Sequence, residues 1–353
     1  METIALTKKL IKFKTVQTRN KELHKCIGFI RNYFKGKKLF VEKFQFNKIP
    51  SLFVCTKKTL SPKILLLVHM DVVEAEPEQF TPKIKGNKLF GRGAYDMKAG
   101  AAIAMNSLLS LSPKHSVGVL FTSDEESSAF NGARIFAEKG FRGKLIIALD
   151  GGSPKELVIK SKGVLRLKVS AKGRDGHPGK PWKGENAIEK LILAYPKIRK
   201  LFPGTSPSNR WKPTLTPSII NGGSTINVVP PYAEMFIDVR YPDEKEINMI
   251  LKKIKKIKGI KTEVLLFDSL METSPKNPLV QKLKKTMKEE THSAITLKKE
   301  HGASDARHFS AKGIPCVLFT PKGKNLHAKN EFVFIDSVKK TERILSRFLL
   351  ENA

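Results

Sequence analysis

Ile64-Leu65-Leu66-Leu67-Val68 runs without interruption into His69-Met70-Asp71. A short apolar run with no polar alternation predicts a strand buried on both faces, as in a parallel sheet covered by helices on each side. The polar residues that follow fall at the carboxyl end of that strand, where open α/β sheets collect ligands. The pattern recurs along the chain. Val117 to Thr122 precede Asp124-Glu125-Glu126, Leu145 to Leu149 precede Asp150, and Cys316-Val317-Leu318-Phe319 precede the loop with His327. Asp96 closes the Gly-rich turn Gly91-Arg92-Gly93-Ala94-Tyr95. Packing alone does not ask for such a repetition, so these positions are the candidate site.

Working outward, Leu6 to Phe34 reads as largely helical, and Lys38 to Phe46 and Ser51 to Thr56 as strands. Gly100 to Leu111 and Ser128 to Lys139 read as helices. From Val164 the order becomes strand (to Ala171), helix (Asn186 to Lys200), strands (Thr214 to Asn221, Ala233 to Tyr241), helix (Glu244 to Lys256) and strand (Thr262 to Phe267). That is the split βαβ arrangement, a complete unit placed between two parts of an α/β sheet. The chain then returns with a helix at Leu279 to Glu290, a polar loop at His301 to His308, the Cys316 strand and a closing helix at Ser337 to Leu350. The expected division is 1–162 and 269–353 for a mostly parallel α/β catalytic domain and 163–268 for the insert.

A chain of 353 residues suggests about two domains. No apolar stretch is long enough to span a membrane, and Met1 to Val16 has too many lysines among its apolar residues to be a signal segment, so a cytoplasmic location is expected. Cys26, Cys55 and Cys316 form no CxxC pair. Any metal is therefore expected on His and carboxylates. The formal charge of +32 raises nucleic acid as a partner. The basic residues are spread along the chain, no recognition motif accompanies them, and the run Leu251 to Lys258 reads as an amphipathic helix with a lysine face. A basic nucleic-acid-binding protein stays open only as a remote alternative.

The residue types favour metal chemistry. Period two puts His69 and Asp71 on one face, so the Asp71 carboxylate is expected to hydrogen-bond the far ring nitrogen of His69; a capped strand end is the plainer alternative. Asp96 has two oxygens with which to bridge a pair of ions, although an N-cap explains an Asp before a helix equally well. In Glu125-Glu126 one acid can bind metal while its neighbour takes a proton from water. Nitrogen and oxygen donors without sulfur suit zinc, with cobalt or manganese as substitutes.

Six segments carry a family resemblance: His69-Met70-Asp71-Val72-Val73, Gly91 to Lys98, Thr122 to Glu126, Gly176-His177-Pro178-Gly179, Asn227-Val228-Val229-Pro230 and Gly302 to Arg307. Together they resemble the dinuclear zinc exopeptidases and deacylases, which include succinyl-diaminopimelate desuccinylase, acetylornithine deacetylase, carboxypeptidase G and the tripeptide aminopeptidases. The resemblance implies two zinc ions bridged by Asp96, with His69 and Asp150 completing one site and Glu126 and His327 the other. It implies Glu125 as the base acting on a hydroxide between the ions, Asp71 as the acid orienting His69, and a ferredoxin-like insert serving as lid and homodimer contact. His177 would then approach the active site of the partner subunit and help stabilise the oxyanion there, and Asn227, Arg240 and Ser304 would bind substrate.

Within the family the signals are mixed. Asp150-Gly151-Gly152 is similar to the aminopeptidase branch, whereas Gly91 to Lys98 and Ser304 to Arg307 look more like the desuccinylase and deacetylase branch. The expected activity is hydrolysis of an amide bond in a small N-acyl amino acid, with short peptides as the alternative substrate and an inactive scaffold as the reading that loss of metal would favour.

Overall fold

The computed structural model describes residues 1–127 and 130–353. The chain divides into two compact units. One is Met1–Lys160 with Met271–Glu300 and Ser304–Ala353; the other is Ser161–Leu270 with His301–Ala303. Those last three residues, expected with the catalytic part, cluster with the insert.

The first unit is built on a nine-stranded sheet. Its centre runs Val117–Thr122, Ile64–His69, Leu145–Ala148, Cys316–Leu318, all parallel. Antiparallel strands flank this centre, with Ile49–Cys55 beside Val117–Thr122 and Glu156–Ser161 beside Cys316–Leu318. Uninterrupted apolar sequence is what this environment requires. Ile64, Leu66 and Val68 enter one core cluster and Leu65 and Leu67 another, so every side chain of the strand is enclosed on one face or the other. Each such burial stabilises by roughly 1.5–3 kcal/mol.

Helices Thr3–Ile11, Ala99–Leu109, Pro278–Thr291 and Ile335–Asn352 supply residues to the first cluster. Ala99–Leu109 is apolar nearly all round and needs close approach to the sheet. A Cβ at Gly100 would lie 2.9 Å from the Leu149 carbonyl oxygen, and glycine removes that clash. The second face is closed by the aromatic residues Phe44, Phe53, Phe136 and Phe141, packed edge to face.

Several elements depart from expectation. The helix read over Leu6 to Phe34 is two helices, Thr3–Ile11 and Asn20–Tyr33. The break between them is fixed by distant partners: the Thr15 hydroxyl donates to the Met70 carbonyl (2.6 Å) and Val72 N–H to the Thr15 carbonyl (3.0 Å). Of the helix expected over Ser128 to Lys139, Ala133–Glu138 is observed; residues 128 and 129 lie outside the described residues. The polar loop His301 to His308 ends in a short helix, Ala306–Ser310. A small antiparallel sheet, Gly323–Lys324, Phe332–Phe334, Lys88–Phe90, Lys83–Lys85, was not expected at all. Its pairing of Phe332 with Phe90 brings the His327 loop to the Gly91–Asp96 turn.

The second unit has the predicted order β-α-β-β-α-β. Its antiparallel sheet runs Thr214–Gly222, Tyr232–Tyr241, Gly163–Lys172, Lys261–Asp268, the ferredoxin-like arrangement. Alternate residues of Tyr232–Tyr241 are buried against helices Ala187–Arg199 and Glu244–Ile254. Both helices begin with a side-chain cap: Asn186 accepts from Ile188 and Glu189 N–H, and Asp243 from Glu246 N–H.

Candidate active site

Polar residues stand at or just past the carboxyl ends of the parallel strands, and the sheet sets those ends side by side. His69 pairs in register with Thr122, two residues before Asp124. Leu67 pairs with Ala148, two residues before Asp150. Asp96 arrives from outside the sheet, on the turn that leads into Ala99–Leu109. Gly93 gives that turn its left-handed backbone (φ +80°), and a Cβ there would press on Val72 and Lys98 at 2.9 Å. His327 also holds a positive φ (+59°), in the loop before Phe332–Phe334.

These ends converge on Asp96. His69 Nε2 lies 3.1 Å from Asp96 Oδ1, and His327 Nε2 lies 3.1 Å from Asp96 Oδ2 and 3.3 Å from Glu126 Oε1. Two groups have potential ligand atoms within 4.8 Å of one another: His69, Asp96, Asp150, and Asp96, Glu126, His327. Asp96 belongs to both. The five residues singled out in the sequence are thereby brought together.

The second nitrogen of His69 tells which tautomer faces the site. Nδ1 is 3.1 Å from the Asp71 backbone carbonyl, which only accepts, so Nδ1 carries a hydrogen. The neutral ring then presents the lone pair of Nε2 toward the Asp96 carboxylate. Two electron-rich atoms at this separation require a positive charge at hand, either a proton or a metal ion. The expectation for Asp71 is corrected here. Its carboxylate stands 3.6 Å from His69 Nδ1 and instead accepts from Glu125 N–H (3.2 Å), Glu126 N–H (3.0 Å) and Gln17 Nε2 (3.1 Å). The strand ends at His69, so period two no longer aims the side chain, and the carboxylate anchors the acidic turn.

Electrostatics agree that the pocket lacks positive charge. Burial, reinforced by Asp96, pushes the Asp150 carboxyl up to about 7. Burial raises Glu125 well above the usual range; His69 opposes this, while Asp305 and Asp150 add to it. Burial works against a charged His69, yet Asp96, Asp71 and Glu125 outweigh it and raise its pKa. Bonds to Asp96 and Glu126 lift His327 to about 10. The protein alone must hold protons where a divalent cation would neutralise the same carboxylates, and the donor set of one imidazole and two carboxylates at each position suits such an ion.

Behind the front row, buried Asp305 accepts from the Thr122 hydroxyl (3.0 Å). Arg307 reaches to 4.0 Å from Glu125 Oε1. Ser304 is buried near the Asp150 carboxyl, and its hydroxyl makes no hydrogen bond among the described residues. Glu331, which the sequence reading missed, is buried and accepts from Arg92 Nη1 and from the backbone of the Asp96 turn. Nothing local marks it, since an acid before a short strand has no distinguishing pattern.

The remaining candidates lie in the second unit. His177 is exposed and its Nδ1 accepts from Gly179 N–H (3.1 Å), leaving Nε2 as a donor. Asn227 is exposed and accepts from the Thr225 hydroxyl. Arg240 is engaged with Asp238 two residues before it on the same strand, Nε to Oδ1 at 2.7 Å, in a row of ion pairs that includes Arg166 with Asp238 and Lys168 with Glu234 across strands.

Comparison with known proteins gives this geometry a context. Succinyl-diaminopimelate desuccinylase of Helicobacter pylori (strain Shi470) is 27% identical over 373 residues, covering 98% of this chain and 97% of the relative. The crystal structure of aminopeptidase PepT from Bacillus cereus superposes with a TM-score of 0.79 at 20% identity, covering 99% of this chain and 97% of that one. The Bacillus subtilis YXEP protein, a dinuclear metal binding peptidase, superposes with a TM-score of 0.71 at 14% identity, with 99% and 97% covered. The sequence model of peptidase family M20/M25/M40 matches residues 65–351. Since that match takes in both parts of the sheet, the Asp96 cluster and the inserted unit, the chain belongs to peptidase family M20/M25/M40 and is a metal-dependent amidohydrolase.

Proposed function

We propose that the chain hydrolyses the amide bond of a small N-acyl amino acid, with two zinc ions held by His69, Asp96 and Asp150 and by Asp96, Glu126 and His327. The observation that carries this reading is the sharing of Asp96 between two donor groups with the half-buried Glu125 beside them. The bound ions would polarise the substrate carbonyl and acidify water in the site toward a pKa of about 7.

Glu125 acts as the base. Its carboxylate takes a proton from the attacking water and gives it to the departing nitrogen, so that the amide C–N bond breaks as the new C–O bond is completed. In the metal-free protein burial raises the Glu125 carboxyl, and cations bound beside it would oppose that shift and leave it free to accept the proton. Asp71 and Gln17 hold the turn that presents Glu125. His69 is kept in one tautomer by the Asp71 carbonyl.

His177, with its free Nε2 donor, would stabilise the oxyanion, and Asn227 and Arg240 would hold the substrate's polar end, with Ser304 near Asp150. The exposed apolar residues Ile219 and Ile220 on the strand Thr214–Gly222 support a homodimer formed through the inserted unit. A cytoplasmic location fits three buried free cysteines and the absence, among the described residues, of any helix long and apolar enough to cross a membrane. The desuccinylase relative favours an acyl amino acid as substrate, and the PepT likeness of the fold keeps short peptides as a second reading.

The test is hydrolysis by zinc- or cobalt-loaded protein of N-succinyl-diaminopimelate, N-acetylornithine, other N-acyl amino acids, and di- and tripeptides, with Glu125→Ala as the control. Turnover of an acyl amino acid supports the first reading and turnover of peptides alone the second. No Glu125-dependent turnover of any compound would overturn both.

A further inference from the structure

Asp96 is the residue on which both donor groups depend, yet it sits on an irregular turn that no sheet hydrogen bond holds. Besides its own turn hydrogen bonds, such as Lys98 N–H to the Gly93 carbonyl (2.8 Å), the turn is held by one buried side chain from more than two hundred residues away. Both oxygens of Glu331 are used: Oε1 accepts from Tyr95 N–H (2.9 Å) and Asp96 N–H (3.1 Å), and Oε2 from Gly93 N–H (3.1 Å) and Arg92 Nη1 (2.6 Å). The Glu331 carbonyl accepts from Gly91 N–H (3.1 Å) as well. Arg92 then continues outward, donating from Nη2 to the His327 carbonyl at 3.0 Å. Glu331 is 1% exposed and Arg92 2%, so neither bond is diluted by water.

We propose that Glu331, acting with Arg92, is a positioning residue for the two-ion site: the carboxylate sets the orientation of the peptide bearing Asp96, and Arg92 ties that peptide to the loop bearing His327. The inference rests on the two-ion reading above. Its physical basis is that a residue shared by two ions must place two oxygens at once, and a small rotation of its backbone moves one toward its ion and the other away. A carboxylate that accepts from the N–H of Asp96 itself blocks that rotation. Hydrogen bonds one step out from metal ligands commonly change metal affinity by roughly 10–100-fold.

Glu331→Gln is isosteric and breaks the device selectively. An amide has one acceptor oxygen, so its NH2 must face either the Tyr95 and Asp96 N–H pair or the Gly93 N–H and Arg92 pair, donor against donor. Arg92→Lys keeps the charge beside Glu331 but cannot reach Glu331 and the His327 carbonyl together.

The experiment is titration of metal-stripped protein with Co2+, followed by the visible absorption of the bound ion, with chelator competition for affinity and circular dichroism to verify the fold. Glu331→Gln is expected to bind Co2+ about 10–100-fold more weakly, with an altered visible spectrum, and to show a lowered kcat at saturating Co2+ with little change in KM. Leu66→Ala serves as a control for mere destabilisation and should keep wild-type Co2+ affinity and spectrum. If Glu331→Gln does not fold, Arg92→Lys carries the test with the same expected weakening. Wild-type affinity and spectrum in whichever variant folds would overturn the positioning role and leave the two-ion reading intact. Absence of Co2+ binding by the wild type would overturn both.

Discussion

The two units bury their sheets in different ways. Along Ile64–His69 every residue is buried, and consecutive side chains enter opposite core clusters. Along Tyr232–Tyr241 burial alternates, and the open positions carry Glu234 and Asp238, paired with Lys168 and Arg166 across strands, and Arg240, paired with Asp238 along the strand. A parallel sheet covered on both faces has nowhere to put polar groups except its strand ends, so they accumulate there in one place. A one-sided antiparallel sheet spreads its polar groups over a face, where Lys168, Glu234, Asp238 and Arg240 neutralise one another in solvent. The first arrangement concentrates unbalanced charge and makes a reactive site; the second disperses it and makes a surface.

The largest test of this contrast is catalytic. Glu125→Ala is expected to lower kcat by about 10²–10⁴-fold while leaving metal content unchanged. Arg240→Ala should act mainly on KM, because its charge is already balanced by Asp238. Steady-state kinetics on both variants, with metal analysis, would break the contrast if Arg240→Ala proved as damaging to kcat as Glu125→Ala.

Next in size is packing. Leu66→Ala, at the centre of the doubly covered sheet, should cost about 2–5 kcal/mol in denaturant unfolding. A cost below about 1 kcal/mol would show that this face of the sheet is far more loosely packed than its burial indicates.

Acid and base separate the units as well. In metal-free protein, Asp150 and Asp124 are pushed up to about 7 and Asp305 to about 6, each chiefly by burial. His327 is lifted to about 10 and His69 is raised. Each of these groups binds its proton more tightly folded than unfolded, so stability falls as pH rises. The carboxyl contributions are complete below about pH 4 and fade through 6 and 7; those of the histidines fade from about 6.5 upward. The melting temperature of chelator-treated protein is therefore expected to drop between pH 5 and 8, and zinc should flatten the drop by replacing the protons. In the inserted unit the exposed Glu185 and the half-buried Glu234 are lowered by Lys190 and Lys168, the opposite sign, and contribute little in that range. A melting temperature that rose with pH without metal would contradict the charge balance described for the site.

The smallest expected effect on folding is at the insert's outer strand. Ile220 is 59% exposed, and Ile220→Lys should change unfolding free energy by no more than about 0.5 kcal/mol. If the proposed homodimer forms through this strand, the same variant should shift its sedimentation toward monomer. An unchanged dimer would move the contact away from this strand.

Much of the molecule was legible beforehand because its rules are local. Apolar runs marked the parallel strands, period two and helical spacing marked the insert, and polar residues at strand ends marked His69, Glu126 and Asp150. Other features were decided at a distance. The break after Ile11 depends on Thr15 meeting Met70, and the small sheet depends on Phe332 meeting Phe90. Asp71 was aimed wrongly because the alternation that should orient it stops at His69, two residues before it.

By itself the sequence determined the layering, the insertion and the list of chemical groups, since each follows from residue type and period within a few neighbours. Only the tertiary structure decided that Asp96 stands between two histidines and that Glu331 holds it there. Those relations join residues separated by 231 and 235 positions, and a hydrogen bond closed over so long a loop leaves no periodic trace in the chain that makes it.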